Sequence, residues 1–106
     1  MLTRKDFPTA KVGEKIRFYE EKQAFTVQAR SENFLVCTKP YNPQKTVRYT
    51  VVDIKKNIRG SENLVFGFGA ETKKQCKEMV ARLESGKTEV SYRNWIPIVL
   101  AGEVVI

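Results

Sequence analysis

Two β-rich runs decide the fold of this sequence: Phe34-Leu35-Val36-Cys37-Thr38 and Thr46-Val47-Arg48-Tyr49-Thr50-Val51-Val52. Both runs are dense in β-branched and aromatic residues, which are typical of strands. The prolines of Pro40-Tyr41-Asn42-Pro43 interrupt strand pairing and indicate a loop between the runs. In the second run Tyr49 lies on the same face as its valine neighbours two positions away, so we expect it to be buried. The two runs therefore predict a pair of central strands.

Shorter alternating patterns on both sides of these runs predict further strands. We expect a turn at Asn57–Gly60 between two of them. Many short strands at roughly ten-residue spacing are typical of a small, strongly curved sheet. The predicted class is therefore α+β, with a strongly bent antiparallel sheet or SH3-like barrel of about five to six short strands. The additional strands are expected at 15–19, 24–29, 63–67, 89–92 and 96–100.

One amphipathic helix is predicted at about 73–85. Its apolar residues recur with the i, i+3, i+4, i+7 spacing of a single buried stripe, Cys76, Met79, Val80 and Leu83. Thr72 and Gln75 fit a capping box at the helix start, and Gly86 is suited to a left-handed C-terminal cap. The stripe indicates core packing rather than a binding groove.

The chain has 106 residues, which suits one domain of ordinary size. We expect a flexible N-terminal arm at 1–11, where Pro8 disfavours helix, and a single domain at 12–106. No apolar run is long enough to span a membrane, and Met1–Ala10 lacks the apolar stretch of a signal peptide. The expected location is cytoplasmic.

The sequence argues against catalysis. It contains no histidine, which removes the commonest general base and every Ser-His or Cys-His nucleophile pair. Cys37 and Cys76 are expected to be small buried hydrophobic residues, and two soft ligands without histidine make a metal site improbable. We therefore expect neither a cofactor nor a bound metal, and predict that the protein is not an enzyme.

Basic residues are concentrated between Lys39 and Arg59, in a chain whose formal net charge is +7. Lysine and arginine neutralise phosphates, and an exposed Tyr41 between two prolines suits stacking on an unpaired base. The stretch therefore predicts a nucleic-acid surface, although charged edge strands also prevent aggregation and a basic face also suits an acidic protein. Its six cations, set against Asp53, are Lys39, Lys45, Arg48, Lys55, Lys56 and Arg59.

A second candidate cluster is Tyr92-Arg93-Asn94-Trp95, between two β-like segments. Trp and Arg are favoured anchors at interfaces, so Arg93 and Trp95 are candidate binding residues. The alternative is structural: Trp95 closes one end of the barrel and Arg93 lies over it.

Several strings in this chain carry a resemblance to a known group of proteins. They cover roughly residues 12 to 100, and the chain resembles small uncharacterised proteins carried by bacterial phages, plasmids and conjugative elements. The resemblance implies a mobile-element context and no particular mechanism. The strings are Phe34–Pro43, Thr46–Asp53, Arg59-Gly60 followed by Asn63–Phe66, Leu83–Gly86, Glu89–Asn94 and Ile96-Pro97.

Together these observations predict a non-catalytic nucleic-acid-binding accessory protein of a mobile genetic element. It would contact phosphates through a basic loop and strand. The alternative that the resemblance implies is a protein inhibitor or adaptor that binds an acidic host protein, such as a CRISPR nuclease of host defence. The sequence indicates no membrane partner and no particular oligomeric state.

Overall fold

The computed structural model describes residues 7–19, 21–41, 46–60, 73–86 and 95–101. In these ranges one helix and a six-stranded antiparallel sheet curl into a half-barrel, which confirms the predicted α+β class. The elements are a 3₁₀ turn at Phe7–Thr9, strands β1 (Lys15–Ile16), β2 (Phe25–Arg30), β3 (Phe34–Tyr41), β4 (Thr46–Asp53), β5 (Ile58–Gly60) and β6 (Ile96–Pro97), and helix α1 (Lys73–Glu84).

The sheet is a meander whose strands pair in chain order from β1 to β6. β3 and β4 form its longest ladder, from Phe34 opposite Asp53 to Tyr41 opposite Thr46. The register of β2 against β3 shifts between Val27 and Ala29, and such a bulge bends a strand and increases its twist.

The curl of the sheet brings the segments that follow β1 and β6 together. Phe18 and Leu100 form an antiparallel bridge. Beside it, the backbone amide of Tyr19 donates to the carbonyl of Val99 at 2.7 Å, and the amide of Ala101 donates to the carbonyl of Arg17 at 2.9 Å. Residues 17–19 are therefore bound to backbone on the side away from β2.

The sheet buries side chains on both faces. The inner cluster fills the half-barrel, and the outer cluster lies between the sheet and α1. At the bulge in β2, Val27 belongs to the inner cluster and Ala29 to the outer one. The inner cluster contains Phe7, Ala10, Ile16, Phe18, Phe25, Val27, Leu35, Cys37, Val52, Ile98 and Leu100. The outer cluster contains Ala29, Val36, Tyr49, Val51, Cys76, Met79, Val80, Leu83 and Trp95.

Helix α1 agrees with its sequence pattern. Its bounds match the prediction to within one residue, and its predicted apolar stripe is buried against the sheet. Gly86 has a φ of 70°, the left-handed conformation expected of a C-terminal cap. Glu84 fastens the helix end to the β2–β3 turn by accepting hydrogen bonds from Ser31 Oγ and Asn33 Nδ2, both at 2.9 Å. The proposed cap at Thr72 lies outside the described residues.

The turn predicted at Asn57–Gly60 is wrong in its position. The turn occupies residues 54–57, and β5 pairs Ile58–Gly60 with Val51–Asp53. Asn57 provides the left-handed residue at its end, with a φ of 56°. Gly60 lies in β5 against the indole ring of Trp95. A Cβ added at this position would lie 2.7 Å from Cε2 of the ring, so the glycine leaves the space that the ring occupies. The strands predicted at 63–67 and 89–92 lie outside the described residues.

Part of the expected N-terminal arm is packed into the domain. Phe7 and Ala10 are buried in the inner cluster, in contrast to the flexible arm predicted for residues 1–11. Arg30 holds this segment, because its guanidinium donates to the backbone carbonyls of Ala10 and Pro8. The sequence pattern missed this packing because a single phenylalanine gives no periodic signal.

Candidate binding surface

Three charged side chains meet inside the half-barrel, and we call Glu21, Lys39 and Arg59 the buried charge cluster. Nζ of Lys39 lies 2.6 Å from Oε2 of Glu21, and Nη2 of Arg59 lies 3.7 Å from Oε1 of the same carboxylate. The side chains of Lys39 and Arg59 are only 8% and 3% exposed. One carboxylate thus bridges two cations that belong to different strands.

Aromatic rings and a hydroxyl complete the surroundings of this cluster. Nζ of Lys39 lies 4.8 Å from the ring centroid of Phe25, and the guanidinium carbon of Arg59 lies 4.3 Å from that of Phe18. Such cation–π contacts are stronger when desolvated. Thr50 accepts a hydrogen bond from Nη1 of Arg59 at 3.3 Å and donates one to the carbonyl of Gly60 at 2.7 Å.

The burial of Lys39 and Arg59 corrects their predicted role. Both were candidate nucleic-acid or partner-binding residues, and Arg59 was expected to hold a phosphate, yet they are buried and pair with Glu21. The alternation of β3 contains the missing signal, because Lys39 follows Leu35 and Cys37 at two-residue steps on the inner face. These two cations contribute to the fold and do not form part of an exposed basic patch.

Of the remaining candidates, the structure describes the side chains of Lys55, Lys56 and Trp95. Lys55 and Lys56 are exposed on the turn that follows β4. Trp95 is 8% exposed and packs in the outer cluster, between the sheet and α1, so its ring is buried rather than presented to a partner. The side chains of Tyr41 and Arg48, and all of Lys45 and Arg93, lie outside what the structure describes.

A row of exposed side chains follows the chain through β1 instead. Ile16 and Phe18 are fully buried, and the residues alternating with them face solvent. We call these residues, Lys15, Arg17 and Tyr19, the outer row. Successive members are about 6.7 Å apart along the strand. Within the described residues their side chains make no hydrogen bond or ion pair, and Tyr19 is 58% exposed.

The two described carboxylates near the outer row, Glu14 and Glu21, make contacts within the protein. Oε1 of Glu14 accepts a hydrogen bond from the backbone amide of Lys11 at 2.8 Å, and Glu21 turns inward to the buried charge cluster. Glu20 lies outside the described residues. The described part of the chain has three exposed carboxylates and nine exposed cations. The cations are Lys11, Lys15, Arg17, Lys22, Lys55, Lys56, Lys74, Lys77 and Arg82.

Backbone hydrogen bonds relate the outer row to the turn that carries Lys55 and Lys56. The amide of Ile98 donates to the carbonyl of Asn57 at 3.0 Å, and the next residue, Val99, accepts from Tyr19. The β4–β5 turn and the Tyr19 end of the row thus flank the same short segment. The structure brings two of the predicted cations close to a row that the sequence analysis did not select.

The two cysteines are not reactive nucleophiles at neutral pH. Burial, with a smaller effect of Cys76, raises the pKa of the Cys37 thiol to about 12. Burial also raises the pKa of Cys76. A thiol rather than a thiolate is present in both cases, and a thiol is a poor nucleophile and metal ligand. Both residues are buried, as the sequence analysis predicted.

Comparison with known proteins adds no family to these observations. No family model, curated protein or solved structure matches the chain. In the described ranges no three His, Cys, Asp or Glu residues are grouped as a metal site would require. Nor does that part of the chain contain a helix with the length and apolarity needed to cross a membrane.

Proposed function

We propose that the protein is a non-catalytic nucleic-acid-binding protein and that the outer row is the centre of its contact surface. The observation that carries the proposal is the row itself: two cations and an aromatic ring are exposed at alternate positions of residues 15–19, and the nearby described carboxylates make contacts within the protein. An accessory role in a mobile genetic element, implied by the resemblance of the chain, is part of the same proposal.

The row suits a phosphate backbone for two reasons. Phosphates are held by lysine and arginine side chains that neutralise them and release condensed counterions. In addition, residues 15 and 16 pair with β2 and residues 17–19 bind residues 99–101, so the side chains of the row project from a hydrogen-bonded backbone. Lys55 and Lys56, on the turn that binds residue 98 next to the partner of Tyr19, add two exposed cations.

The competing function is binding of an acidic protein, as an inhibitor or adaptor would do. Carboxylates on a partner would also be attracted to the row, and an exposed tyrosine is a common anchor at protein interfaces. Nucleic acid is the better fit because exposed cations exceed exposed carboxylates threefold on the described residues, which favours a densely charged polyanion.

A titration with labelled nucleic acid tests the proposal. Protein freed of bound nucleic acid is titrated into single strands and duplexes of DNA and RNA, with anisotropy as the readout. If Lys15, Arg17, Lys55 and Lys56 each neutralise one phosphate, affinity falls about fiftyfold or more between 50 and 200 mM salt. Absence of binding at the lower salt contradicts the proposal, and capture of a protein that survives nuclease treatment then supports the competing function.

A further inference from the structure

We infer that the ligand of the outer row is single-stranded DNA or RNA, with one unpaired base stacked on Tyr19 and another in a groove between α1 and β2. The inference rests on the proposed nucleic-acid function and specifies which form of nucleic acid the surface binds. The inference is carried by two features, the exposed ring of Tyr19 and the apolar groove. Both suit contact with unpaired bases, and neither is needed to hold the phosphates of a duplex.

Tyr19 has the properties of a stacking platform. Its side chain is 58% exposed, and it makes no contact with another described ring or charge. Its backbone amide is held by the 2.7 Å hydrogen bond to the carbonyl of Val99, so the ring extends from a backbone position that is bound to a neighbouring segment. Stacking on an aromatic side chain requires a free base face, which a single strand offers and a paired duplex hides.

The groove supplies a second, apolar contact. It has a volume of about 690 Å³, which falls in the range of pockets that hold small organic ligands. Its lining surface is largely apolar, and Gln28 adds a hydrogen-bonding group of the kind that reads a base edge. The aliphatic lining consists of Val12, Ala29, Val80 and Ala81.

The groove and the outer row belong to one continuous surface. Val12 lines the groove and is 57% exposed, and Lys15 begins the row three residues later. Between them the amide of Gly13 donates to the carbonyl of Val27, and the amide of Val27 donates to the carbonyl of Glu14, both at 2.9 Å. A strand that leaves the groove therefore passes directly onto the row.

The charges around the groove favour a phosphate at one position. Lys77 is exposed on α1, lines the groove and makes no ion pair within the described residues. Of the other charged groups, Arg30 donates to backbone carbonyls, and Glu84, which keeps its negative charge, accepts hydrogen bonds from Ser31 and Asn33. Lys77 is thus the cation suited to the phosphate that flanks a base in the groove.

The stacking half of the inference is tested with two variants of Tyr19. We expect Tyr19→Ala to weaken binding of oligothymidylate and oligouridylate about tenfold, while Tyr19→Phe, which keeps the ring, stays within about twofold of the wild type. Binding of a duplex of the same length should be unchanged in both variants. Equal losses for single strand and duplex, or no loss in Tyr19→Ala, would overturn the inference.

The groove half is tested on α1 with a matched pair of lysines. Lys77→Ala should weaken single-strand binding about fivefold, and Lys74→Ala, an exposed lysine that does not line the groove, should change it less than twofold. If binding depends on salt but is tighter to duplex, and if Lys77→Ala and Lys74→Ala bind with equal affinity, the single-strand inference is rejected. The proposed nucleic-acid function is then retained. No binding to either form at low salt rejects both.

Discussion

Reversing the two cations of the outer row is expected to lower nucleic-acid affinity about a hundredfold or more at moderate salt. In the Lys15→Glu/Arg17→Glu variant two phosphate contacts are lost, and two carboxylates then repel the backbone. Both side chains are exposed and make no contact that stabilises the described fold, so the variant should remain folded. Anisotropy titration measures the affinity, and circular dichroism confirms the fold.

The control for this variant carries the same change in net charge on another element. Lys74→Glu/Arg82→Glu reverses two exposed cations of α1 and should lower affinity less than about fivefold, through long-range repulsion alone. If the two double variants lose affinity equally, net charge rather than the outer row determines binding. That result would contradict the location we propose.

Glu21→Gln is expected to lower the free energy of unfolding by about 3 kcal/mol, because removing one partner from a buried ion pair leaves its cations uncompensated. Glu21 bridges Lys39 and Arg59, and both cations are almost completely excluded from water. The amide keeps the size of the carboxyl group and removes its charge. Urea unfolding measures the difference.

Two comparisons make this prediction specific. Glu32→Gln alters an exposed carboxylate and should change stability by less than about 0.5 kcal/mol. In a double-mutant cycle with Lys39→Met, the cost of both substitutions should fall short of the sum of the single costs by at least about 1 kcal/mol. A loss in Glu21→Gln no larger than that in Glu32→Gln would show that the buried charge cluster contributes little to stability.

Local patterns predicted the elements of this fold well where the signal repeats along the chain. The period-2 alternation of residues 15–19 and the buried stripe of α1 both agree with the structure. The turn before β5 was misplaced because Asn57 and Gly60 are both turn-forming residues. Only the contact between Gly60 and Trp95, distant in sequence, explains why the glycine belongs to the strand.

The binding surface was harder to predict because charge alone does not indicate exposure. Lys39 and Arg59 sit in the most basic stretch of the chain, yet the curl of the sheet directs both toward Glu21, 18 residues before Lys39. The same pattern that placed Ile16 and Phe18 inward leaves Lys15, Arg17 and Tyr19 outward. Their relation to the turn that carries Lys55 and Lys56 arises from the contact of residues 17–19 with residues 99–101, which no local pattern reveals.

The charged residues of this protein therefore have two different roles, one inside the half-barrel and one on its surface. Inside the half-barrel, Lys39 and Arg59 are held by Glu21 and two aromatic rings, and they join strands that are separate in sequence. Outside it, the outer row presents cations with no described partner. Because Glu21 is drawn inward, the same carboxylate that stabilises the interior is also removed from the surface where it would repel an anion.

The most direct test of the central claim, that the outer row holds phosphates, is the salt dependence of binding in Lys15→Ala/Arg17→Ala compared with the wild type. The logarithm of the association constant is plotted against the logarithm of the salt concentration for both proteins. If each residue neutralises one phosphate, the slope of the variant is smaller by about 1.5. Two parallel lines with the same slope would show that these cations do not contact phosphates and would contradict the account.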